Sequence, residues 1–462
     1  MLRYACCLLL TLLLAAPLWA DQSKPRGAVC VIKQQDRVLL VQDRVSSRYG
    51  LTGGYIDAGE TPVQTALREL FEETGLEGRI IASLGRWQSA ELFACQTLTP
   101  IVAQLGTGAV SLLHAPNKDG EVLSALLVPP SALPHVLRRF PDQLDWLLPR
   151  LAQIPDSEVR WQTDFSAEAN ALHRQELPLI RQLQTALGPH NLWLQLANLS
   201  GSAPFLLLLV PLLLPLLGWH RVLQLLFAML WLSLLVQLTK IGIGWPRPFN
   251  FQPELALRAV SGFGMPSGHS ATAMLGWGLL LRWAWPKHRW LAWGLSLLLA
   301  SATGLARVWL GVHFISDVAV GLLLGICLLL LRPWLLPMAQ RQLPWLLLAS
   351  LAGVAAAALQ SPPLAAIGIV SLALLLGSRI PVNRACRRPW LTGFVALAGC
   401  LLLGLLSASL PLLITSSLLI LSGQGILYGL LGLWLSHGLW WLISLTDDHN
   451  RGSTPRKEHN DY

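Results

Sequence analysis

Long apolar runs dominate the second half of this 462-residue chain and limit what it can fold into. A hydrocarbon layer about 30 Å thick is spanned by an apolar helix of about 20 residues. We predict ten spans, at residues 204–219, 221–239, 268–285, 290–307, 314–331, 344–360, 362–377, 390–407, 409–422 and 424–445. Only 13% of the residues are charged, against about 25% in an average soluble domain, so the composition argues against a purely soluble protein.

The few charges of the apolar half predict its orientation. Residues 200–445 contain 14 basic residues and two acidic ones, Glu254 and Asp317. Assigning the connections to alternate sides puts ten basic residues on one side and four on the other, and the positive-inside tendency makes the first side cytoplasmic. Segments before residue 200 are then outside the cytoplasm. The net charge of +9 is spread thinly among apolar runs, so no nucleic-acid partner is expected.

The first 20 residues are typical of a secretory signal peptide. Arg3 supplies the early positive charge, residues 6–16 form a short apolar core, and Ala20 precedes the polar Asp21. Cleavage after Ala20 and retention as an uncleaved anchor both remain open, and either outcome exports the next domain. This agrees with the orientation inferred from the charged loops.

Two of the seven cysteines, Cys30 and Cys95, lie in the exported part outside the apolar segments. In an oxidising compartment they could form a disulfide, but two buried free thiols are an equally good interpretation. No Cys or His spacing in the chain suggests a zinc site.

Composition divides the chain into segments of different character. Residues 29–32 and 38–41 are typical of buried strands and indicate a mixed α/β domain. Residues 333–445 carry no motif and no acid, which predicts extra helices packed beside the others. The predicted order is a signal peptide (1–20), an α/β domain (24–155), a linker with an interfacial helix (156–199), a helical membrane domain (200–332), additional transmembrane helices (333–445) and a polar tail (446–462).

Three glutamates crowd one face of a predicted helix in the α/β domain. Glu69, Glu72 and Glu73 are three and four residues apart, so their like charges repel unless a cation offsets them. Clustered carboxylates are the ligands that Mg²⁺ prefers, although a solvated acidic helix face is the alternative. Arg68, four residues before Glu72, is placed to hold one carboxylate.

The pattern around these glutamates resembles the Nudix box. Gly-x5-Glu-x7-Arg-Glu-Leu-x-Glu-Glu-x-Gly-Leu runs from Gly54 to Leu76 without a departure at its defining positions. The resemblance implies an α/β/α Nudix sandwich that hydrolyses a diphosphate-linked small molecule. It implies that Glu69, Glu72 and Glu73 bind Mg²⁺ or Mn²⁺, and that the loop is supported by Gly53, Gly54, Glu60 and Arg68.

Cations and histidines stand at the predicted outer ends of the spans. His313 and Asp317 are four residues apart at a helix start, so the carboxylate can hydrogen-bond one imidazole nitrogen and leave the other free to attack phosphorus. His269 follows Ser267 and Gly268 at another helix start, where backbone N–H groups favour a phosphoryl group.

Together these residues resemble the type 2 phosphatidic acid phosphatase superfamily. Its three motifs occur in order as Lys-x6-Arg-Pro from Lys240, Pro-Ser-Gly-His from Pro266 and Arg-x5-His-x3-Asp from Arg307. The resemblance implies metal-independent catalysis through a phosphohistidine on His313, with His269 as general acid. It further implies that Asp317 orients His313 and that the phosphoryl oxygens are held by Lys240, Arg247, Ser267, Gly268 and Arg307. The family places Ser where Ala306 stands, which removes one candidate hydrogen bond to phosphate.

The two resemblances predict a bifunctional membrane hydrolase. One half would be a Mg²⁺-dependent diphosphohydrolase, and the other a lipid phosphatase of the undecaprenyl diphosphate or phosphatidylglycerophosphate class at the periplasmic face of the inner membrane. A lipid phosphotransferase that uses the same phosphohistidine is the alternative, with the Nudix domain as a binding or sensing module.

Overall fold

The protein is described here from a computed structural model that covers residues 24–118, 120–382, 384 and 388–452. The predicted signal peptide, residues 1–20, lies outside the described residues. The chain divides into two compact units. The first consists of residues 24–42, 48–118 and 124–162, and the second holds the other described residues.

Two sheets and two helices form the first unit. The strands are β1 (Gly27–Val31), β2 (Lys33–Gln34), β3 (Arg37–Asp43), β4 (Tyr49–Gly50), β5 (Thr52–Tyr55), β6 (Gly78–Trp87), β7 (Ala90–Thr97), β8 (Ile101–Gln104), β9 (Ala109–Val110), β10 (Val122–Val128) and β11 (Val159–Gln162). One sheet has the order β5-β1-β7-β6, and the other has the order β11-β8-β9-β10-β3-β2 with β4 paired to β3. The helices are α1 (Pro62–Thr74) and α2 (Pro141–Leu147). This α/β architecture is the predicted fold class.

The apolar strand residues that the sequence singled out form the core of this unit. Val31, Val38 and Leu40 are fully buried and pack in one cluster with Leu144 and Leu147 of α2. Removing such side chains from water contributes about 1.5–3 kcal/mol each to folding. This apolar core therefore holds strands β1 and β3 against helix α2.

A disulfide joins Cys30 of β1 to Cys95 of β7. The two strands are parallel neighbours, and the Cα atoms of the two cysteines are 5.7 Å apart. The sequence left pairing and two free thiols as alternatives, and the structure has the pair.

The α/β unit extends beyond the predicted boundary at residue 155. Strand β11 pairs in parallel with β8, with Val159 opposite Ile101, and the unit ends at Gln162. The rest of the segment predicted as a linker with an interfacial helix, residues 156–199, contains helices α3 (Ala171–Leu187) and α4 (Leu192–Leu199). Backbone pairing across the sheet is a long-range contact, which composition alone did not reveal.

The second unit is helical. After α3 and α4 come α5 (Ala203–Ile243), α6 (Pro248–Phe251), α7 (Gly268–Ala284), α8 (Arg289–Trp309), α9 (Ile315–Leu330), α10 (Arg332–Met338), α11 (Gln342–Ala358), α12 (Pro362–Arg379), α13 (Pro389–Leu413), α14 (Ser417–Leu433) and α15 (Leu439–Gly452). Five helices in the described part of the chain are long and apolar enough to cross a membrane, or six if α9 and α10 form one bent span. This half is a multi-pass membrane bundle.

Ten spans were predicted, whereas five or six helices of the described residues are long and apolar enough to cross a membrane, and several boundaries differ. The first two predicted spans lie in one helix, α5, which is broken at Gly218 where the backbone adopts φ 73° and ψ 163°. The predicted break near residue 408 falls instead at residues 414–416, between α13 and α14. Helix α15 also continues to Gly452, so the predicted polar tail begins as helix.

The helices after residue 332 share a core with α5. Phe227 of α5 packs against Trp345 of α11 with ring centroids 4.9 Å apart, and Trp219 packs edge-on against Trp440 of α15. One continuous cluster of buried side chains includes residues of both regions. The additional helices therefore pack in the same core as α5.

Candidate active sites

The acidic site of the α/β unit is built on α1. Thr61 begins this helix with a capping box, in which its hydroxyl accepts from the Gln64 N–H and the Gln64 side chain accepts from the Thr61 N–H. The helix turns Glu69 and Glu73 inward, where both are buried, and Glu72 lies at the edge. Helical periodicity thus puts the three carboxylates on one side, as their spacing predicted.

Arg68 connects the predicted site residues of this unit. Its Nη1 donates to Glu69 Oε1 and to Glu72 Oε2, both at 2.9 Å, and its Nε donates to Glu60 Oε1 at 2.8 Å. The hydrogen bonds from Arg68 and Thr65 lower the pKa of Glu60 to about 2. Glu60 is therefore a permanent anion that holds Arg68 between the loop and the helix.

The donor set suits a divalent metal in its chemistry. Glu69, Glu72 and Glu73 supply carboxylate oxygens, and Gly54 lies so close to Glu69 that a Cβ there would lie 2.2 Å from Glu69 Oε1. Glu73 Oε2 accepts from the Gly53 N–H at 3.0 Å. Within the described residues no three acidic, His or Cys side chains converge as a ligand cluster, because Arg68 and Gly53 engage the carboxylates. Metal binding would require these carboxylates to turn from those donors.

The second site centres on His313, which lies in the loop between α8 and α9 and is buried. Its Nδ1 is 3.1 Å from Asp317 Oδ2, and its Nε2 is 3.2 Å from Arg247 Nη1. Asp317 Oδ2 also accepts from the Phe314 N–H at 3.0 Å, which fixes the carboxylate at the start of α9. The structure thus brings together three predicted site residues from two separate motifs.

The hydrogen bonds assign the protons of this imidazole. A guanidinium N–H can only donate, so Nε2 must accept from Arg247 through its lone pair. The single ring proton of a neutral imidazole is then on Nδ1 and is donated to Asp317. This tautomer leaves a nucleophilic lone pair on Nε2, beside the arginine that would bind a phosphoryl oxygen.

The second motif joins the same site at the start of α7. Ser267 is the N-cap residue, and its N–H donates to the Asp317 carbonyl at 2.9 Å. Gly268 and His269 follow on the first turn and are only partly buried. His269 lies within electrostatic range of Arg307, Arg247 and Lys240. Helix N-termini attract anions, so this turn suits a phosphoryl group.

Backbone carbonyls of the loop before α7 hold two of the cations. Lys240 Nζ donates to the carbonyls of Phe263 and Gly264. Arg247 donates to the Gly262 carbonyl, to Ser261 at 3.0 Å and to Val312 at 2.6 Å. Both side chains are buried, so these bonds offset part of the cost of removing each cation from water.

The third cation, Arg307, is held differently. Its Nη1 donates to Asn198 Oδ1 of α4 at 2.9 Å, and its buried Nε has no hydrogen-bond partner among the described residues. The neighbouring Ala306 is buried among apolar side chains, including Leu194 and Leu310. The side chain at position 306 therefore lies in a hydrophobic cluster, and the departure from Ser there removes no contact seen in this site.

The sequence did not predict that α3 contacts the segment that follows His313. Glu176 accepts from the N–H and the hydroxyl of Ser316, each at 3.1 Å, and so caps the start of α9. His173 stacks on Phe314 with ring centroids 4.0 Å apart and planes 4° apart. Burial raises the pKa of Glu176. No local pattern marks these residues, because their partners are about 140 residues away.

His173 should make the protein less stable in mild acid. Burial lowers the pKa of His173 to about 4, whereas an unfolded His titrates near 6.5. The unfolded state therefore binds a proton first, and stability falls as the pH drops from 7 towards 4, by about 2 kcal/mol at pH 5. We expect His173→Phe, which keeps an aromatic ring, to show a smaller loss of thermal stability between pH 7 and pH 5 than the wild type in detergent. Equal losses would contradict this assignment.

Two family models match the chain. Residues 23–148 match the NUDIX domain, and residues 221–341 match the PAP2 superfamily. The first range contains the acidic site on α1, and the second contains Lys240, Arg247, His269, Arg307 and His313.

Two curated proteins with provisional names share short segments with the chain. One is the mutator protein MutT4 of Mycobacterium tuberculosis, 53% identical over 38 residues, which are 8% of this chain and 15% of that protein. The other is an 8-oxo-dGTP diphosphatase of Bacillus subtilis, 35% identical over 60 residues, which are 13% of this chain and 40% of that protein. The chain spans less than half the length of either relative.

Solved structures are similar to each half of the chain. A transmembrane PAP2-type phosphatidylglycerolphosphate phosphatase from Bacillus subtilis is 24% identical, with 37% of this chain and 89% of that chain covered and a TM-score of 0.31. An ADP-ribose pyrophosphatase from Streptococcus suis is 18% identical, with 29% of this chain and 97% of that chain covered and a TM-score of 0.22.

Proposed function

Because the chain carries a Nudix domain followed by a membrane-integral PAP2-superfamily domain, we propose that it is a bifunctional membrane hydrolase. The membrane half removes phosphate from a lipid phosphate or diphosphate. The α/β half cleaves a diphosphate-linked small molecule. The observation that carries the first activity is the hydrogen-bonded chain Asp317, His313 and Arg247, with distances of 3.1 and 3.2 Å.

The proposed phosphatase reaction has two steps. His313 Nε2 attacks the phosphorus, an N–P bond forms, and the bond from phosphorus to the lipid oxygen breaks as His269 gives that oxygen a proton. In the second step His269 takes a proton from water, the water oxygen attacks phosphorus, and the N–P bond breaks. Inorganic phosphate leaves and both histidines return to their starting states.

The surrounding charges support each step. Asp317 accepts a hydrogen bond from Nδ1–H and stabilises the positive ring that forms when Nε2 bonds to phosphorus. Lys240, Arg247 and Arg307 supply positive charge where phosphoryl oxygens gain negative charge. The Phe314 N–H also donates to Asp317 Oδ2, so the carboxylate is held in place beside the ring.

The α/β half would act with a divalent metal held by Glu69, Glu72 and Glu73. Mg²⁺ or Mn²⁺, when bound, neutralises charge on the diphosphate oxygens. Glu60 keeps Arg68 beside the metal-binding carboxylates, and the Gly53 N–H positions Glu73. The name of the Bacillus subtilis relative, an 8-oxo-dGTP diphosphatase, makes nucleoside triphosphates, including oxidised ones, the first substrates to test.

We place both sites on the periplasmic side of the inner membrane. The ten-to-four distribution of basic residues supports this orientation of the bundle. The disulfide between Cys30 and Cys95 supports an oxidising compartment for the α/β half.

Metal dependence separates the two activities in one experiment. Full-length protein in detergent is incubated with undecaprenyl diphosphate or phosphatidylglycerophosphate, and separately with nucleoside triphosphates, with EDTA or with Mg²⁺. We expect lipid phosphatase activity in EDTA and nucleotide hydrolysis only with Mg²⁺. Loss of the lipid phosphatase activity in EDTA would contradict the metal-independent phosphohistidine mechanism. Transfer of labelled phosphate to an added alcohol, instead of its release into solution, would indicate a phosphotransferase.

A further inference from the structure

Helix α4 lies before the segment that matches the PAP2 superfamily, yet one of its residues contacts the phosphate-binding machinery. Asn198 is 4% exposed, and its Oδ1 accepts from Nη1 of Arg307, which is 3% exposed. The family match begins at residue 221. The side chain that hydrogen-bonds Arg307 therefore lies outside the segment that matches the PAP2 superfamily.

Several contacts hold α4 against α8 at the level of Arg307. The Thr303 hydroxyl, one helical turn before Arg307, donates to the Ala197 carbonyl at 3.0 Å and is 2.7 Å from the Ser200 hydroxyl. On the next turn, Leu194 is fully buried against Ala306. Leu194 and Ala197 precede Asn198 and Ser200 follows it, so contacts with α8 hold this stretch of chain on both sides of the Asn198–Arg307 pair.

The chain that leaves α4 also reaches the second motif. Gly201 approaches the backbone of His269 so closely that a Cβ would lie 2.3 Å from the His269 carbonyl oxygen. A residue with a side chain at position 201 would push the two segments apart. The end of α4 thus contacts both the phosphate-binding arginine and the start of α7.

The type of residue at position 198 matters for the charge of the site. A carboxylate at 2.9 Å would pair with the guanidinium and cancel much of its charge. The amide oxygen of Asn accepts the same hydrogen bond without a net charge. The positive charge of Arg307 stays available, and its buried Nε, which has no partner within the described residues, can donate to an anion.

We propose that Asn198 is a positioning residue of the phosphatase site, which aims Arg307 at the phosphoryl group of the substrate and leaves its charge uncancelled. The inference rests on the proposed phosphatase function. Arg307 contacts the phosphoryl oxygens, and Asn198 acts through Arg307. Helix α4, which contains none of the three motifs, therefore contributes a residue to the phosphate site.

Substitutions at residue 198 test this proposal in full-length protein in detergent. The measured quantities are KM and kcat for the lipid phosphate, and the inhibition constant of inorganic phosphate. We expect Asn198→Ala to raise KM and the inhibition constant about tenfold, since a hydrogen bond to a charged group is lost. We expect Asn198→Asp to raise KM and the inhibition constant of phosphate further, by about 100-fold, and to change kcat less than it changes these two constants. Its melting temperature should equal or exceed that of the wild type.

The aspartate variant distinguishes positioning from a structural role. Aspartate keeps an acceptor for Arg307, so a residue that only stabilises the fold would tolerate it and keep the wild-type inhibition constant. Unchanged phosphate inhibition in Asn198→Asp would overturn the proposal, whether or not Asn198→Ala folds. Ser200→Ala is the matched control. It removes a hydrogen bond between the same two helices, while Thr303 keeps its bond to Ala197, so we expect KM within about twofold of the wild type.

The outcome also separates this proposal from the function on which it rests. Wild-type protein without lipid phosphatase activity, and without inhibition by phosphate, would contradict the proposed function. Active wild-type protein whose phosphate inhibition is insensitive to residue 198 would leave the phosphatase standing and overturn only the role of Asn198.

Discussion

Replacing His313 by alanine is expected to lower the release of phosphate from the lipid substrate at least about 1000-fold, because the variant lacks the attacking nitrogen. Brief incubation with radiolabelled substrate should leave an acid-labile phosphate on the wild-type protein and none on the variant. The labelling reports the N–P bond directly, and the rate measurement reports its consequence for turnover.

The fold should survive this substitution. Arg247, which loses its contact with His313 Nε2, keeps its hydrogen bonds to the carbonyls of Gly262, Ser261 and Val312. His288→Ala is the matched control, since His288 is exposed in the loop before α8. We expect wild-type activity from the control and, in both variants, continued Mg²⁺-dependent hydrolysis by the α/β half. Lipid phosphatase activity near the wild-type level in His313→Ala would end the assignment of the nucleophile.

Replacing Glu73 by glutamine is expected to lower nucleotide hydrolysis at least about 100-fold, because one anionic ligand of the metal is lost. The side chain keeps an oxygen that can accept from the Gly53 N–H, so the loop beside α1 should hold its shape. Binding of Mn²⁺, followed by electron paramagnetic resonance, should weaken in parallel with the rate.

The control for this substitution is Glu77→Gln. Glu77 is exposed just beyond the end of α1 and lies outside the cluster of Glu69, Glu72 and Glu73. We expect its hydrolysis rate and Mn²⁺ affinity to equal those of the wild type, and lipid phosphatase activity to be unchanged in both variants. Full nucleotide hydrolysis in Glu73→Gln would instead favour a binding or sensing role for this half.

Much of each site could be predicted from local spacing. His313 and Asp317 are four residues apart, and one turn of helix brings such residues together whatever surrounds them, here at 3.1 Å. The same spacing of four residues predicted that Arg68 lies beside Glu72, and Arg68 Nη1 is 2.9 Å from Glu72 Oε2. Short apolar stretches likewise predicted the buried strands, and long apolar runs predicted the membrane helices, because both signals lie within one element.

Other features required contacts between distant parts of the chain. Asn198 meets Arg307 across 109 residues, Glu176 meets Ser316 across 140, and Cys30 meets Cys95 across 65. Strand β11 extended the α/β unit past the predicted boundary by pairing with β8. None of these partners has a local signature, since each side chain is equally compatible with a solvated position.

The sequence by itself determined the two domain types, the apolar helices and the motif residues, because each depends on spacing within one helix, one strand or one loop. Only the tertiary structure decided which cation meets His313, which nitrogen of that ring carries the lone pair, and that α3 and α4 contact the start of α9 and Arg307. The physical reason is that helix packing, and not the order of residues along the chain, selects the partner of a buried polar group.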